Sequence, residues 1–402
     1  MERNNQKSSL FRKKHYFLVL FLTFIVNFDS TVVIPIISNY AISLGASIIL
    51  ASFIVGAYSI VHIPSNIISG RLVDKIGRKF LISVGVILDG LSILLYSIAQ
   101  NPYFLLLARI IHGIGGGFGG PGTMAYLSDT TPKEKSGRTM AFYGISFGFA
   151  LLFGFMLGGV GSQIIGYKNL FLIVSIAIFF MAGVSFILPT IYHPVKEKLS
   201  FKKEFLVFRE VIVSRKMITP FLGILALNFN LGIITATYSV LLKDASYNDA
   251  QIGMIFGILV ILSILIQYPA GILSDKKGKT NIMNIGLIVV SLSFLILTIS
   301  ISFPIPILGM IIFGIGHGMI FPTSAGLVRN NTKENNRGIA TGTFYALVVA
   351  GIAGGAPISG LIFNSLGILA MLTMGIIFPL SAAIILLVIN KKTNLRSKIY
   401  LF

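Results

Sequence analysis

Long apolar runs separated by short polar breaks dominate the chain. Runs of about 20 residues, the length that crosses a hydrocarbon core as a helix, fall at 15–38, 48–70, 80–99, 103–126, 139–161, 169–190, 218–241, 250–270, 281–302, 305–328, 339–363 and 367–389. They are too long, and alternate too little, to be barrel strands. The pattern predicts an all-α membrane protein with twelve transmembrane helices. The first run is longer than the apolar core of a cleaved signal and no clear small-residue cleavage site follows it, so it is expected to be a retained helix.

Composition agrees with the pattern. Of 402 residues 55% are hydrophobic and only 11% are charged, against about 25% charged in soluble domains. The mean hydropathy is +0.89. There is no cysteine, hence no disulfide, thiolate metal site or thiol nucleophile.

The formal charge of +19 matters through its location. All but three of the 32 Lys and Arg lie in the N-terminal segment, in 71–79, 127–138, 191–217, 271–280 and 329–338, or in the C-terminal segment. Lys168 and Lys243 lie on the opposite side, and Arg109 lies inside a helix. The asymmetry places both termini and the central loop in the cytoplasm of a multi-pass cell-membrane protein. Basic loops facing anionic headgroups explain the charge without nucleic acid.

The sequence repeats at an offset of 201 residues. GRLVDKIGRK begins at Gly70 and GILSDKKGK at Gly271, so Asp74 matches Asp275. Gly113, Gly115 and Pro121 match Gly314, Gly316 and Pro322, and Gly154 and Gly159 match Gly355 and Gly360. This predicts two pseudo-symmetric six-helix bundles of parallel orientation, at 1–190 and 218–402. In the linker 191–217, Phe201, Phe205, Phe208 and Ile212 recur at helical spacing among Lys202, Lys203 and Arg209, which predicts an amphipathic helix at the inner membrane face.

Several of these elements resemble the major facilitator superfamily, and within it the twelve-helix drug/proton antiporters. Gly70, Asp74, Gly77, Arg78 and Lys79 fit the family's G-x-L-x-D-x-x-G-R-K loop. The resemblance implies a cytoplasmic gate latch in which Asp74, Arg78 and Asp129 form a charge relay. Gly271, Asp275 and Gly278 make a second copy that lacks the Arg.

The run LLLARIIHGIGGG resembles the family's L-x-x-x-R-x-x-Q-G, with His112 in place of Gln, and implies a proton-coupling role for Arg109. A charge at membrane depth costs at least about 3 kcal/mol, so Arg109 is expected to face a polar cavity or a carboxylate. The run NFDSTVVIPII is similar to a first-helix signature of the family and makes Asp29 the candidate proton carrier. Asp89 is the other intramembrane acid, on a helix that the family usually places at the bundle's periphery.

In the fifth helix the antiporter pattern G-x-x-x-G-P-x-x-G-G is met only in part. Gly154, Gly158 and Gly159 are kept, Ala150 replaces the first Gly and Phe155 replaces the Pro. The small residues still predict close helix packing, and the lost Pro counts against antiport. Tyr58, His62, His112, Tyr143, Phe147, Asn228, Asn230, Tyr238, Gln267, His317 and Tyr345 are candidate walls of a substrate cavity.

Other signals fall away. Gly115, Gly117 and Gly120 spell G-x-G-x-x-G, but inside an apolar helix with no preceding strand. Asn330-Asn331-Thr332 matches a glycosylation acceptor on the side the charges assign to the cytoplasm. There is no P-loop, H-E-x-x-H or clustered catalytic set, so no enzyme is expected. The expected function is secondary active transport, by alternating access, of a small molecule, with efflux of lipophilic or cationic compounds against protons favoured. It needs no cofactor or metal besides the proton, and a monomer in contact with lipid suffices. The alternatives are a symporter or uniporter for a sugar, organic acid or metabolite, and a non-transporting receptor or scaffold.

Overall fold

The structure, a computed structural model, describes residues 2–130, 136–190, 209–332 and 337–399. Among the described residues the regular elements are helices. They are α1 (Glu2–Val33), α2 (Ile37–Ser43), α3 (Ile48–Ile76), α4 (Arg78–Ser97), α5 (Pro102–Thr130), α6 (Ser136–Ser185), α7 (Arg215–Ile233), a π-turn (Ile234–Tyr238), α8 (Ser239–Asp244), α9 (Asp249–Lys277), α10 (Lys279–Leu297), α11 (Ile305–Asn331) and α12 (Arg337–Ile399).

Each of the twelve expected spans falls on these helices, and three local features depart from the expectation. The first span is interrupted at 34–36, where Pro35 has no N–H to continue α1 into α2. The pairs 139–161/169–190 and 339–363/367–389 have almost no loop between them. Each pair is one continuous helix broken only at Gly166 (φ 78°) or Gly367 (φ 82°).

Gly166 and Gly367 are themselves 201 residues apart, and the same offset relates the other residues with positive φ. Gly77 (φ 90°) matches Gly278 (φ 91°), and Gly45 (φ 91°) matches Ser246 (φ 70°). Gly77 and Gly278 each serve as the single-residue hinge between two long helices, a backbone region that a Cβ disfavours.

Two compact units result: Met1–Glu197 with Asn248–Met254, and Lys198–Tyr247 with Ile255–Phe402. In the first, α5 packs on α3 and α4, and α6 packs on α1 and α4. In the second, the corresponding pairs recur: α11 on α10, and α12 on α7 and α10. The agreement extends to single contacts. A Cβ on Gly113 would lie 2.6 Å from the Tyr58 carbonyl, and one on Gly314 would lie 2.6 Å from the Leu259 carbonyl. Gly117 lies against Ser65, and Gly318 lies against Ile266. Glycine lets the backbones approach this closely in lipid, where tight packing rather than water exclusion holds helices together.

Candidate functional site

The first unit buries a polar cluster from four helices. Asp29 comes from α1, Tyr58 from α3, Asp89 and Tyr96 from α4, and Arg109 and His112 from α5. Asp29, Asp89, Arg109 and His112 are at most 2% exposed. α5 carries Arg109 and His112 one turn apart on one face.

Arg109 is held by two hydrogen bonds and a ring face, with no ion pair to a carboxylate among the described residues. Its Nε donates to the Ile54 carbonyl at 3.3 Å. Its Nη1 lies 3.4 Å from His112 Nδ1, and the guanidinium sits 4.8 Å over the Tyr58 ring. Guanidinium has only donors, so Nδ1 is the acceptor, and the Tyr96 hydroxyl approaches the same nitrogen at 2.9 Å. Nε2 of His112 therefore carries the ring proton and points at Asp29 Oδ2, 3.4 Å away. Asp29 Oδ1 accepts from the Ser30 backbone N–H.

Asp89 completes the cluster. One of its carboxylate oxygens lies within 4.8 Å of one of Asp29. Two carboxylates are both acceptors, so that contact becomes a bond only when a proton sits between them. Without that proton both Asp89 oxygens and Asp29 Oδ2 have no hydrogen-bond donor among the described residues. The charges give the same result. Two carboxylates against one guanidinium leave one negative charge in an apolar interior, and a single proton removes it.

A metal ion fits less well. One ligand atom each from Asp29, Asp89 and His112 lies within 4.8 Å of the others, but the acceptor role of His112 Nδ1 toward Arg109 and Tyr96 puts the ring proton on the nitrogen a metal would need.

The second unit has the same helices without this chemistry. At the offset of 201, Asp29 is matched by Asn230, Tyr58 by Leu259, Asp89 by Val290, Tyr96 by Leu297, Arg109 by Met310 and His112 by Phe313. The match holds in space: Gly115 lies against Asp89 and Gly316 against Val290. Asn230 donates to the Gly375 carbonyl at 2.7 Å.

Other candidates sit elsewhere. His62 stacks near Tyr58, with ring centroids 5.2 Å apart. Tyr143 and Phe147 lie on α6, with Phe147 exposed. Asn228 donates back to the Ile224 carbonyl within its own helix at 3.0 Å, Tyr238 is buried in the π-turn, Gln267 is half-buried on α9, and His317 pairs with Ser263 at 2.5 Å. Tyr345 lines a cavity of about 290 Å³ with Arg329, Thr332 and Phe344. Gly154 and Gly158 bring α6 onto Thr31 and Val32 of α1, and Gly159 meets the backbone of Asp249 and Gly253 in the same unit. Phe155 is buried where a proline would bend the helix.

At the start of α4, Arg78 is buried. The side chains of Gly70, Asp74 and Asp129, and with them the expected relay, lie outside the described residues, as does most of the expected linker helix. In the second copy Asp275 pairs with Lys279 at 2.5 Å, and Gly271 has open space beside it.

A sequence model of the Major Facilitator Superfamily matches residues 19–231 and, a second time, 220–399. The chain belongs to the major facilitator superfamily. It is a multi-pass membrane transporter of that type, not an enzyme. It is 27% identical over 381 residues to an uncharacterised MFS-type transporter of Methanocaldococcus jannaschii, covering 93% of this chain and 97% of that protein. It is 22% identical over 374 residues to multidrug resistance protein 2 of Bacillus subtilis, covering 89% and 91%. Its fold is similar to that of the nucleoside transporter NupG, with a TM-score of 0.77 at 16% identity over 94% of this chain and 99% of that one.

Proposed function

We propose that this superfamily member exports small lipophilic or cationic compounds across the cell membrane in exchange for protons, by alternating access. The observation that carries the reading is the carboxyl pair Asp29–Asp89, buried beside Arg109 and His112, with oxygens within 4.8 Å of each other that no donor among the described residues satisfies. Resemblance to a multidrug resistance protein supports the direction of transport. The excess of Lys and Arg in alternate loops supports cytoplasmic termini and a cytoplasmic central loop.

In this reading Asp29 and Asp89 hold one proton between them. His112 Nε2 faces Asp29 Oδ2 at 3.4 Å, and Arg109 fixes the His112 tautomer while offsetting one of the two acids. Loss of the proton leaves a net negative cluster, which is the asymmetry that couples conformation to ion movement. The drive is adequate, at about 1.36 kcal/mol per pH unit and about 2.3 kcal/mol per charge for each 100 mV. A monomer is sufficient.

The test is flux in proteoliposomes with ethidium as a lipophilic-cation probe and an imposed pH gradient. Gradient-driven movement is expected in the intact protein and is lost in Asp29→Asn. Ethidium transport that ignores both the gradient and the substitution sinks the reading. Phe155, standing where antiporters have proline, favours a second reading, a proton symporter or a uniporter for a metabolite. Reversal of the gradient effect on accumulation marks symport, and its absence marks uniport.

A further inference from the structure

A line of polar side chains leaves the carboxyl pair along α3. It starts at Tyr58, whose ring lies 4.8 Å under the Arg109 guanidinium and 4.9 Å from the His112 ring. Tyr58, His62 and Asn66 follow at four-residue spacing, so they share one face of α3 over about 12 Å of helix axis. The Tyr58 hydroxyl and His62 Nδ1 converge over Gly116. A Cβ there would lie 2.5 Å from the hydroxyl and 3.3 Å from the nitrogen.

His62 Nδ1 and Asn66 Oδ1 are both buried and have no hydrogen-bond partner among the described residues. Buried polar atoms in native proteins are normally satisfied, often by water. The glycines of α5 bring its backbone onto that of α3 beside these residues: Gly113 against the Tyr58 carbonyl and His62 N, and Gly117 against Ser65 and Asn66 N. One turn further along, Gly120 meets nothing within 4 Å, so the seam opens there. In the second unit the matching residues are Leu259, Ser263 and Gln267, and Leu259 interrupts the line.

We infer that Tyr58, His62 and a water held by Asn66 form a proton path between the Asp29–Asp89 pair and the Ile76 end of α3. This rests on the proton-coupled reading above. The steps balance. Tyr58 passes its hydroxyl proton to His62 Nδ1 and regains one from the carboxyl-pair side. His62 releases its Nε2 proton toward the Asn66 water, which leaves the proton on Nδ1. A half-turn of the ring then carries the Nδ1–H to the Asn66 side as the next proton released and presents the bare Nε2 to Tyr58 as the next acceptor. Asn66 transfers nothing itself: its Oδ1 accepts from the water and orients it.

The test needs no substrate. Purified protein is moved from H2O into D2O, and the isotope shift of the protonated-carboxyl C=O band is timed by infrared spectroscopy, with Asp29→Asn and Asp89→Asn identifying the band. His62→Leu and Asn66→Leu are each expected to slow the shift about tenfold or more while leaving the band's amplitude intact, the amplitude showing that the site still forms. Ser263→Leu, at the matching place in the second unit, is expected to leave the rate unchanged. A rate within about twofold of the intact protein in both α3 variants, or equal slowing by Ser263→Leu, overturns the path. Absence of any such band between about pH 5 and pH 8 instead removes the proton site itself, and the path with it.

Discussion

Asp89 occupies the space of the side chain that Gly115 lacks. A Cβ on residue 115 would collide with Asp89 Oδ1, so the carboxylate lies directly on the α5 backbone, and this is how an acid from α4 reaches Asp29 on α1. Gly115→Ala is therefore expected to drive Asp89 off Asp29 and abolish gradient-driven ethidium movement. Gly316→Ala, the matching change, would press on Val290 Cγ2 at 2.7 Å. It is expected to cost about 1–3 kcal/mol of stability, as overpacking does, with coupling retained in the folded fraction. Thermal unfolding measured beside flux separates the two outcomes.

The second unit shows how the first could be built without charge. Arg109→Met alone takes the donor from the Ile54 carbonyl and from His112 Nδ1 and leaves two acids without a cation. Breaking a buried charged set in this way typically costs about 3–5 kcal/mol. The combined change Asp29→Asn, Asp89→Val, Arg109→Met and His112→Phe installs the residues of the second unit together. Complete apolar replacement of a buried ionic set is neutral or stabilising by about 1–4 kcal/mol in other proteins. The combined variant is thus expected to unfold at a temperature at least equal to that of the intact protein, and to carry no proton-driven flux. A single variant as stable as the combined one would show that the cluster is not electrostatically coupled.

Apolar length made the spans legible, because the bilayer admits only helices of about 20 residues. The repeat was legible too, since Gly70/Gly271 and Gly113/Gly314 hold one register. Asp29 and Arg109 stood out as charges at depth, a signal that survives without coordinates. Asp89 carried less weight because helix three was placed at the periphery. Gly85 and Asp89 on α4, opposite Gly115 and Gly119 on α5 at the same four-residue spacing, are the sequence signal for its close approach. Tyr96 was missed altogether. It is fully buried and reaches His112, but an aromatic in an apolar run looks like packing until its hydroxyl is placed. His112 and Tyr58, read as cavity walls, instead hold Arg109, because helical spacing gives a side chain's face but not its partner across the helix pair.

The hinge glycines make a further prediction. Gly77 and Gly278 have open space where a Cβ would go, apart from Asn281 Nδ2 at 3.6 Å from the latter, so any cost of substitution comes from the backbone at φ near 90°. Gly77→Ala and Gly278→Ala are each expected to lower stability by about 1–3 kcal/mol through that strain, read as a lowered unfolding temperature. Equal losses at the two sites are expected, because the two hinges share one geometry. A loss at Gly77 alone would mean that its neighbouring latch residues, not the backbone, set the requirement.

Asn230 provides the closing comparison, because it holds in the second unit the place Asp29 holds in the first. Its amide donates to the Gly375 carbonyl at 2.7 Å, tying α7 to α12, and its Oδ1 has no partner among the described residues. The group is a structural tie with no titratable proton. Asn230→Ala strands a buried carbonyl and is expected to cost about 1–3 kcal/mol, while the folded protein keeps its response to a pH gradient. Asp29→Asn is expected to behave in the opposite way, with little change in unfolding temperature and no gradient response. Measuring both variants for unfolding and for gradient-driven ethidium flux asks whether coupling resides in one unit alone. Loss of the gradient response in Asn230→Ala at unchanged stability would assign part of the coupling to the second unit and break the asymmetry on which the proton-exchange reading stands.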